Sequence, residues 1–264
     1  MDREALGTIP AMLLGLAIAA AVVAGLRSTW SPCSLSMLSA MTPLAERGRG
    51  YRFGATTAWF AFGCLAGGAT LGIGLAAGAA LIGWASLSLT AAAVVIAVVA
   101  LVCAASDARL GGFHLPTHYR QVDDAWFNSY RRWVYASGFG WQLGVGLVTF
   151  IVTSAVYLMI IAAALAGDAL AAFAIGVLFG AVRALAFIPA RSLTTINAVG
   201  ALHRRLEDWA GTSRALTIAA QCAIAVVALF GASLPILGIT VVVALAVALI
   251  AQPRGVLQGR KTPL

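Results

Sequence analysis

The sequence predicts an all-α fold: a polytopic membrane helix bundle of about seven transmembrane helices, two of them broken at a proline. Hydrophobic residues make up 61% of the 264 residues, and mean hydropathy is +0.95. Charged residues make up 10%, against about 25% in a soluble domain. Apolar runs also recur at the length that a bilayer core of about 30 Å requires of a helix. These observations exclude a soluble enzyme, a disordered chain and a nucleic-acid-binding module.

Apolar runs divide the chain into its predicted elements. They cover residues 10–44, 53–83, 86–105, 139–165, 169–201, 214–231 and 234–251. The first and fifth runs are too long for one simple crossing, and each contains a proline near its last third, so we expect both to be broken. The chain 1–264 is predicted to form a single integral membrane domain, with helical halves at 1–105 and 139–264 joined by a cytoplasmic loop at 106–138.

The basic residues predict the orientation of these runs. If each run crosses once, thirteen of the 17 Lys and Arg residues fall in the loops and tail on one side, and the other side carries Arg3 alone. Because positive residues favour the cytoplasmic side, we expect a plasma-membrane protein with its N-terminus outside and its C-terminus in the cytoplasm. Asp2 and Glu4 stand where a signal peptide carries positive charge, so no cleaved targeting segment is expected.

The long loop 106–138 is expected to lie on the membrane surface. Trp126, Tyr130 and Trp133 recur at helical spacing in its second half, and such aromatic residues favour the headgroup region. This pattern predicts an interfacial helix that links the two halves. A helix that docks a partner protein is the alternative.

The tripeptide Ser31-Pro32-Cys33 predicts the break in the first run. Serine favours the N-cap and proline the first helical position, so we expect the helix to end near residues 27–30, restart at Pro32 and continue to about Leu44. Cys33 would then lie in a first turn with its sulfur reachable, and free N–H groups there favour a thiolate. A small core cysteine beside a proline kink is the alternative.

A similar pattern surrounds the proline of the fifth run. Residues 183–193, like residues 27–35, contain an arginine, then a proline five or six positions on, then Ser-Leu. This similarity predicts an internal repeat, and paired interrupted helices are typical of a midplane binding site in transporters.

Arginines inside apolar runs are the second indication of such a site. Each costs at least about 2.5 kcal/mol to insert, so each is expected to face a cavity or a partner. Helix starts and guanidinium groups both favour anions. The predicted substrate-binding residues are Arg27, Ser31, Pro32, Arg183, Pro189 and Arg191. The alternative is that these arginines extend to the interface or bind carbonyl groups freed at the breaks.

Residues 25–35, Gly-Leu-Arg-Ser-Thr-Trp-Ser-Pro-Cys-Ser-Leu, resemble the first helix of the CcdA/DsbD family, the transmembrane thiol–disulfide carriers of cytochrome c biogenesis. That family shows Gly-Leu-x-Ser-x-x-Ser-Pro-Cys-x-Leu there and a second Pro-Cys at the start of its second half. Residues 138–144 look similar in place, with Leu143-Gly144 where Pro-Cys would be. The resemblance implies two inverted triplets of helices, and electron transfer from a cytoplasmic thioredoxin-like protein to an external thiol partner.

Cys64 is the candidate for the second thiol. Cys33 and Cys64 each lie eleven residues from the cytoplasmic end of their runs, which places both about 16 Å deep. The two runs are consecutive, so Cys33 and Cys64 are predicted to form a membrane-embedded catalytic dithiol. Cys103 and Cys222 are expected to be ordinary core residues.

These patterns leave three functions open. The first is a thiol–disulfide carrier that passes reducing equivalents across the membrane through Cys33, with thioredoxin-like partners. The second is a transporter of a small anion or other small solute, and the third is a membrane scaffold. No hydrolase or kinase signature occurs. No metal or cofactor is expected, because Pro116 separates His114 from His118 and no Cys-x-x-Cys spacing exists.

Overall fold

The computed structural model describes residues 3–84, 87–116, 129–149, 151–185 and 187–234, with side chains from residue 11 onward. The helices are α1 (Arg3–Arg27), α2 (Pro32–Ala40), α3 (Pro43–Gly48), α4 (Phe53–Trp84), α5 (Leu89–Ala108), α6 (Arg132–Val145), α7 (Ala155–Leu165), α8 (Ala169–Leu185) and α9 (Ile196–Gly231). Short 3-10 turns cover Ser28–Trp30, Leu110–Gly112 and Ile188–Ser192. The described part of the chain is therefore all-helical, as predicted.

Five segments of the described chain are long and apolar enough to cross a membrane. They are Ala11–Trp30, Phe53–Trp84, Leu89–Ala108, Ala169–Ser192 and Ile196–Gly231. The prediction of a multi-pass helical membrane protein is confirmed, but the count of seven crossings is not. The last predicted run, 234–251, lies beyond Leu234 and so outside the described residues.

The break ahead of Cys33 is confirmed. After the 3-10 turn Ser28–Trp30, Ser31 is extended (φ −73°, ψ 146°), and α2 restarts at Pro32. The Ser31 hydroxyl caps α2 by accepting from the Ser34 amide at 3.2 Å. The serine and proline therefore act as their positions in the sequence predict.

The restarted helix is shorter than predicted. It ends at Ala40 instead of near Leu44, because Thr42 is extended (φ −96°, ψ 159°) and caps the separate helix α3. The Thr42 hydroxyl accepts from the Ala45 amide at 3.1 Å. The segment that carries Cys33 is thus a nine-residue helix with non-helical residues on both sides.

The second break is confirmed with a different local structure. Pro189 lies inside a 3-10 turn and does not start a helix. The next helix begins at Ile196, where the Thr195 hydroxyl caps it by accepting from the Ala198 amide at 3.2 Å. Both segments of the predicted repeat are therefore interrupted, but a helix starts at the proline only in the first of them.

A further break divides the run predicted at 139–165. Helix α6 begins earlier, at Arg132, and ends at Gly146, whose φ of +71° is a left-handed conformation that glycine adopts readily. The described residues 147–149 and 151–154 are not helical, and α7 begins at Ala155. Hydrophobicity alone does not show this break, because the intervening residues remain mostly apolar.

Residues 202–213, between the fifth and sixth apolar runs, were expected to form a loop. That prediction is wrong, because these residues are helical. Helix α9 runs unbroken through them, and its Ala198, Val199, Leu202 and Leu206 pack against a buried cluster. Arg204 and Arg205 on its other face are exposed. The segment is amphipathic with a helical period, so its charges mark a solvated face and not a loop.

Glycines bring α4, α6 and α8 into backbone contact. A Cβ added at Gly67 would overlap the Trp141 carbonyl of α6, and one added at Gly68 would lie 2.6 Å from the Gly176 carbonyl of α8. Such contacts are typical of small residues between membrane helices. These three helices form the tight core that fixes the positions of residues on α4.

Two other predictions concern the surface between the halves. Residues 117–128, which include Trp126 of the predicted interfacial helix, lie outside the described residues. Trp133 is about half-exposed, and its ring centroid lies 6.3 Å from that of Trp59. Exposed indole rings in contact are typical of the membrane interface.

Candidate functional site

Cys33 and Cys64 lie in one buried cluster. Cys33 stands in the first turn of α2 and is 3% exposed, and Cys64 stands in the middle of α4 and is 0% exposed. The cluster also contains Met37, Met41, Phe60, Phe139, Leu143 and Phe187. The structure thus brings together the two cysteines that the sequence analysis paired, and both are thiols.

Arg183 brings a positive charge to the two thiols. This residue of α8 is 3% exposed, and its guanidinium interacts electrostatically with both Cys64 and Cys33. Its Nε donates to the Leu143 carbonyl at 3.3 Å, whereas its Nη1 is buried with no hydrogen-bond partner among the described residues. The ion pair found in the described chain joins Arg49 to Glu46, so no described carboxylate neutralises Arg183.

The chemical consequence concerns the charge state of the sulfurs. A buried cation without an anionic partner is costly, and a thiolate is the anion that its two sulfur neighbours can supply. Arg183 is the cation that a negative charge on either sulfur would face. The thiolate is the nucleophile of disulfide exchange, so Cys33, Cys64 and Arg183 form the candidate site for such chemistry in the described chain.

The cluster is closed to solvent, so the expectation of a reachable Cys33 sulfur is wrong. The first half of α9 covers it through the four apolar side chains described above. Polar contacts hold this cover: Trp30 Nε1 donates to the Leu206 carbonyl at 2.9 Å, and Ser39 Oγ lies 3.3 Å from His203 Nε2. The cover was not predicted because residues 202–213, which include Leu202 and Leu206, were expected to form a loop.

The three predicted arginines have different surroundings. Arg27, at the end of α1, lies 5.8 Å from the Trp30 ring centroid and interacts with Asp107 and Arg214. Arg191 is exposed in the second 3-10 turn. Of these three arginines, Arg183 is the one that lies beside the two thiols.

The remaining predicted binding residues shape the breaks. Ser31 is 1% exposed and caps α2, and its hydroxyl lies 2.9 Å from that of Ser34. Pro32 provides the first residue of α2, whereas Pro189 is exposed. Within the described residues, no group of three or more His, Cys, Asp or Glu side chains could hold a metal ion.

A buried carboxylate forms a second polar centre that the sequence analysis missed. Glu46 is 0% exposed on α3. It accepts from Arg49 Nη1 at 3.0 Å, from the Tyr135 hydroxyl at 2.9 Å and from the Thr56 hydroxyl. The network ties α3 to α4 and α6. Its place in an arginine-rich loop suggested a solvated side chain, and only the three-residue spacing to Arg49 hinted at a partner.

Replacing Tyr135 with phenylalanine is expected to lower the free energy of unfolding by about 1–3 kcal/mol, because Glu46 would lose a donor in a buried site. Thermal denaturation in detergent measures the change. Tyr51→Phe is the control, since Tyr51 is exposed at the surface and its hydroxyl stands outside these hydrogen bonds of the Glu46 carboxylate. Equal midpoints for the two variants would contradict a stabilising role for the network.

The same network predicts a pH dependence. Burial, followed by the hydrogen bond to Glu46, raises the pKa of Tyr135, which lies outside the five membrane-crossing segments. The raised pKa means that the neutral phenol is favoured in the folded state. This stabilisation is fully present below the ordinary tyrosine pKa of 10.0 and is lost as the solution becomes strongly alkaline.

Comparison with known proteins finds relatives with a shared name. No protein-family model and no solved structure matches the chain. It is 32% identical over 200 residues to the methylamine utilization protein MauF of Paracoccus denitrificans, an alignment that covers 72% of this chain and 66% of that protein. It is 31% identical over 180 residues to MauF of Methylophilus methylotrophus, covering 66% and 61% of the two chains.

A third relative extends this similarity. MauF of Paracoccus versutus is 27% identical over 205 residues, covering 77% of this chain and 71% of that protein. The aligned part thus spans about two thirds of the relatives' own length. This multi-pass helical membrane chain is similar over most of its length to methylamine utilization proteins MauF.

Proposed function

We propose that this protein is a membrane thiol–disulfide carrier that serves methylamine utilization, with Cys33 and Cys64 as its dithiol. The observation that carries the proposal is the buried guanidinium of Arg183, which interacts electrostatically with two thiols of one apolar cluster. A cation there has little structural value, since an apolar side chain would fill the same space at lower cost. The name of the MauF relatives supports the process in which the carrier acts, and the CcdA/DsbD resemblance supports its chemistry.

The proposed exchange balances as follows. The Cys33 thiol loses its proton, and the thiolate attacks a partner disulfide to form a mixed disulfide, releasing one partner thiolate. Cys64 then loses its proton and attacks Cys33 to form the Cys33–Cys64 disulfide and release the second partner thiolate. The carrier gives up two electrons and two protons, and a thioredoxin-like dithiol in the cytoplasm restores both thiols by the reverse sequence.

Access to the dithiol requires a movement that the helix breaks permit. Helix α2 is nine residues long and lies between the extended residue Ser31 and the non-helical Met41 (φ −107°, ψ 60°). Such short segments between breaks can shift as units. We propose that α2 moves away from the cover formed by residues 196–206 and exposes Cys33, while Cys64 stays fixed in the glycine-packed core.

The proposed orientation places the N-terminus outside and the C-terminus in the cytoplasm of the plasma membrane. The bias of basic residues supports it. A reporter enzyme that works only in the cytoplasm, fused after Leu264, is expected to be active. Small-anion transport and a scaffold role stay predictions.

The redox state of the protein in membranes tests the carrier function. After oxidation with diamide or reduction with dithiothreitol, the free thiols are tagged with a maleimide polymer and resolved by electrophoresis. We expect wild-type protein to take two fewer tags after oxidation, and Cys33→Ser or Cys64→Ser to abolish this difference. Cys222→Ser is the matched control, because Cys222 lies in a separate cluster, and it is expected to keep the two-tag change.

Growth on methylamine tests the proposed process. Deletion of the gene from a methylamine-using host is expected to impair growth on methylamine and not on an unrelated substrate. Complementation by wild type and by Cys222→Ser, but not by Cys33→Ser, is expected. Full complementation by Cys33→Ser together with an unchanged tag count on oxidation would refute the carrier function.

A further inference from the structure

A polar cavity lies at the C-terminal end of α1, away from Cys33 and Cys64. Its volume is about 560 Å³, and α5, α7, α9 and the segment 112–116 enclose it. Its lining includes four Arg and Asp side chains: Arg27, Asp107, Arg109 and Arg214. A cavity of this size lies within the range of small-ligand sites, about 300–1,000 Å³.

The cavity carries an excess of positive charge. Three of its lining residues are arginines and one is an aspartate. Arg27 Nη1 and Arg214 Nη2 are buried and have no hydrogen-bond partner among the described residues. Unsatisfied buried donors on charged groups are expensive, so this pair favours an anion that binds both.

The hydrogen bonds found for the Asp107 carboxylate in the described chain go to neutral groups and not to these arginines, although its charge attracts both. Its two oxygens accept from the Thr153 hydroxyl at 2.6 Å, the Ser154 amide at 2.8 Å and Gln221 Nε2 at 2.9 Å. Arg214 donates through Nε to the backbone carbonyl of Asp107, at 2.6 Å. The carboxylate is therefore engaged by neutral donors and holds the start of α7 in place, while the outer guanidinium nitrogens remain available.

We propose that this cavity binds a phosphate group between Arg27 and Arg214, with Arg109 as a third cation at its rim. Guanidinium groups bind tetrahedral oxyanions through charge-assisted hydrogen bonds in fixed geometry. The phosphate is either free inorganic phosphate or the headgroup of an anionic phospholipid, since basic pockets between membrane helices accept such headgroups. The site shares no residue with the proposed dithiol and stands whether or not that dithiol is redox-active.

Two variants and one control test the site in the full-length protein. Arg27→Gln and Arg214→Gln each remove one of the two guanidinium groups. Arg205→Gln removes the same charge from an exposed position on α9, the helix of Arg214. The probes are inorganic phosphate, with sodium chloride of equal ionic strength, and lipid nanodiscs of phosphatidylglycerol or phosphatidylcholine.

If free phosphate is the ligand, we expect phosphate but not chloride to raise the denaturation midpoint of wild type and of Arg205→Gln. The apparent Kd is then expected to weaken at least about ten-fold in Arg27→Gln and Arg214→Gln. If a lipid headgroup is the ligand, we expect no response to phosphate. Wild type and Arg205→Gln are then expected to retain phosphatidylglycerol in native mass spectra, and the two cavity variants are expected to lose it.

Ligand-free stability separates binding from misfolding. Because Arg27 Nη1 is buried without a hydrogen-bond partner in the part of the chain that the structure describes, Arg27→Gln without probe is expected to have a midpoint equal to or above that of wild type. If neither phosphate nor phosphatidylglycerol distinguishes the cavity variants from Arg205→Gln, the proposed site is wrong. A lowered ligand-free midpoint with an intact response to phosphate or lipid would overturn it equally.

Discussion

Replacing Arg183 with glutamine is expected to slow oxidation of the Cys33–Cys64 pair by diamide at least ten-fold. The reason is electrostatic: the guanidinium stabilises the thiolate that attacks, and the apolar cluster provides no other cation near both sulfurs. An interaction of about 1.4 kcal/mol already corresponds to a ten-fold change, and charges in such surroundings interact more strongly than in water. Stopped-flow oxidation of the purified protein, with tagging of the remaining thiols, measures the rate.

Two further variants separate charge from packing. Arg183→Lys keeps the charge in nearly the same volume and is expected to retain most of the oxidation rate. Arg191→Gln removes an exposed arginine and is expected to leave the rate unchanged. If Arg183→Gln oxidises as fast as Arg191→Gln, the cation does not activate the dithiol, and Arg183 is a structural residue only.

Replacing Gly180 with alanine is expected to be strongly destabilising. A Cβ there would overlap the Cys64 carbonyl and lie 2.9 Å from the Gly68 Cα. Because both neighbours are helix backbone, α4 and α8 must separate, at a cost of about 1–3 kcal/mol. The displacement would move Cys64 away from Arg183, so slower dithiol oxidation is expected as well as a lower denaturation midpoint.

Gly74→Ala is the matched control for this prediction. Gly74 lies on α4 with no atom within 4 Å of an added Cβ. Removal of a glycine from a helix interior there is expected to stabilise by about 0.5–1 kcal/mol. Opposite signs for the two alanine variants would identify backbone contact as the determinant. A midpoint for Gly180→Ala at or above that of Gly74→Ala would mean that the helices tolerate separation.

The helix break at Cys33 could be predicted from the sequence because its signals are local. A serine N-cap and a proline at the first helical position act within one turn, and Ser31 and Pro32 take those roles in the structure. The pairing of Cys33 with Cys64 rested on an equal count of residues from the ends of two consecutive runs. Both now lie in one cluster.

Other features depended on contacts that a single sequence does not specify. Arg183 could be recognised as an intramembrane cation, but its placement beside the thiols rests on the packing of α8 against α4. Glu46 was missed because two of its partners, Thr56 and Tyr135, come from other helices. Residues 202–213 were misjudged because charge was counted per segment and not per helix face. The pairing of Arg27 with Arg214 joins helices distant in the chain, so only the fold reveals it.

Peptide mapping of the oxidised protein tests the central claim most directly. Membranes are treated with diamide, free thiols are blocked, and the protein is digested and analysed by mass spectrometry without reduction. We expect one linked peptide pair that joins Cys33 to Cys64, with Cys103 and Cys222 blocked as free thiols. Recovery of Cys33 and Cys64 as separately blocked peptides after full oxidation would contradict a membrane-embedded dithiol and the carrier function that depends on it.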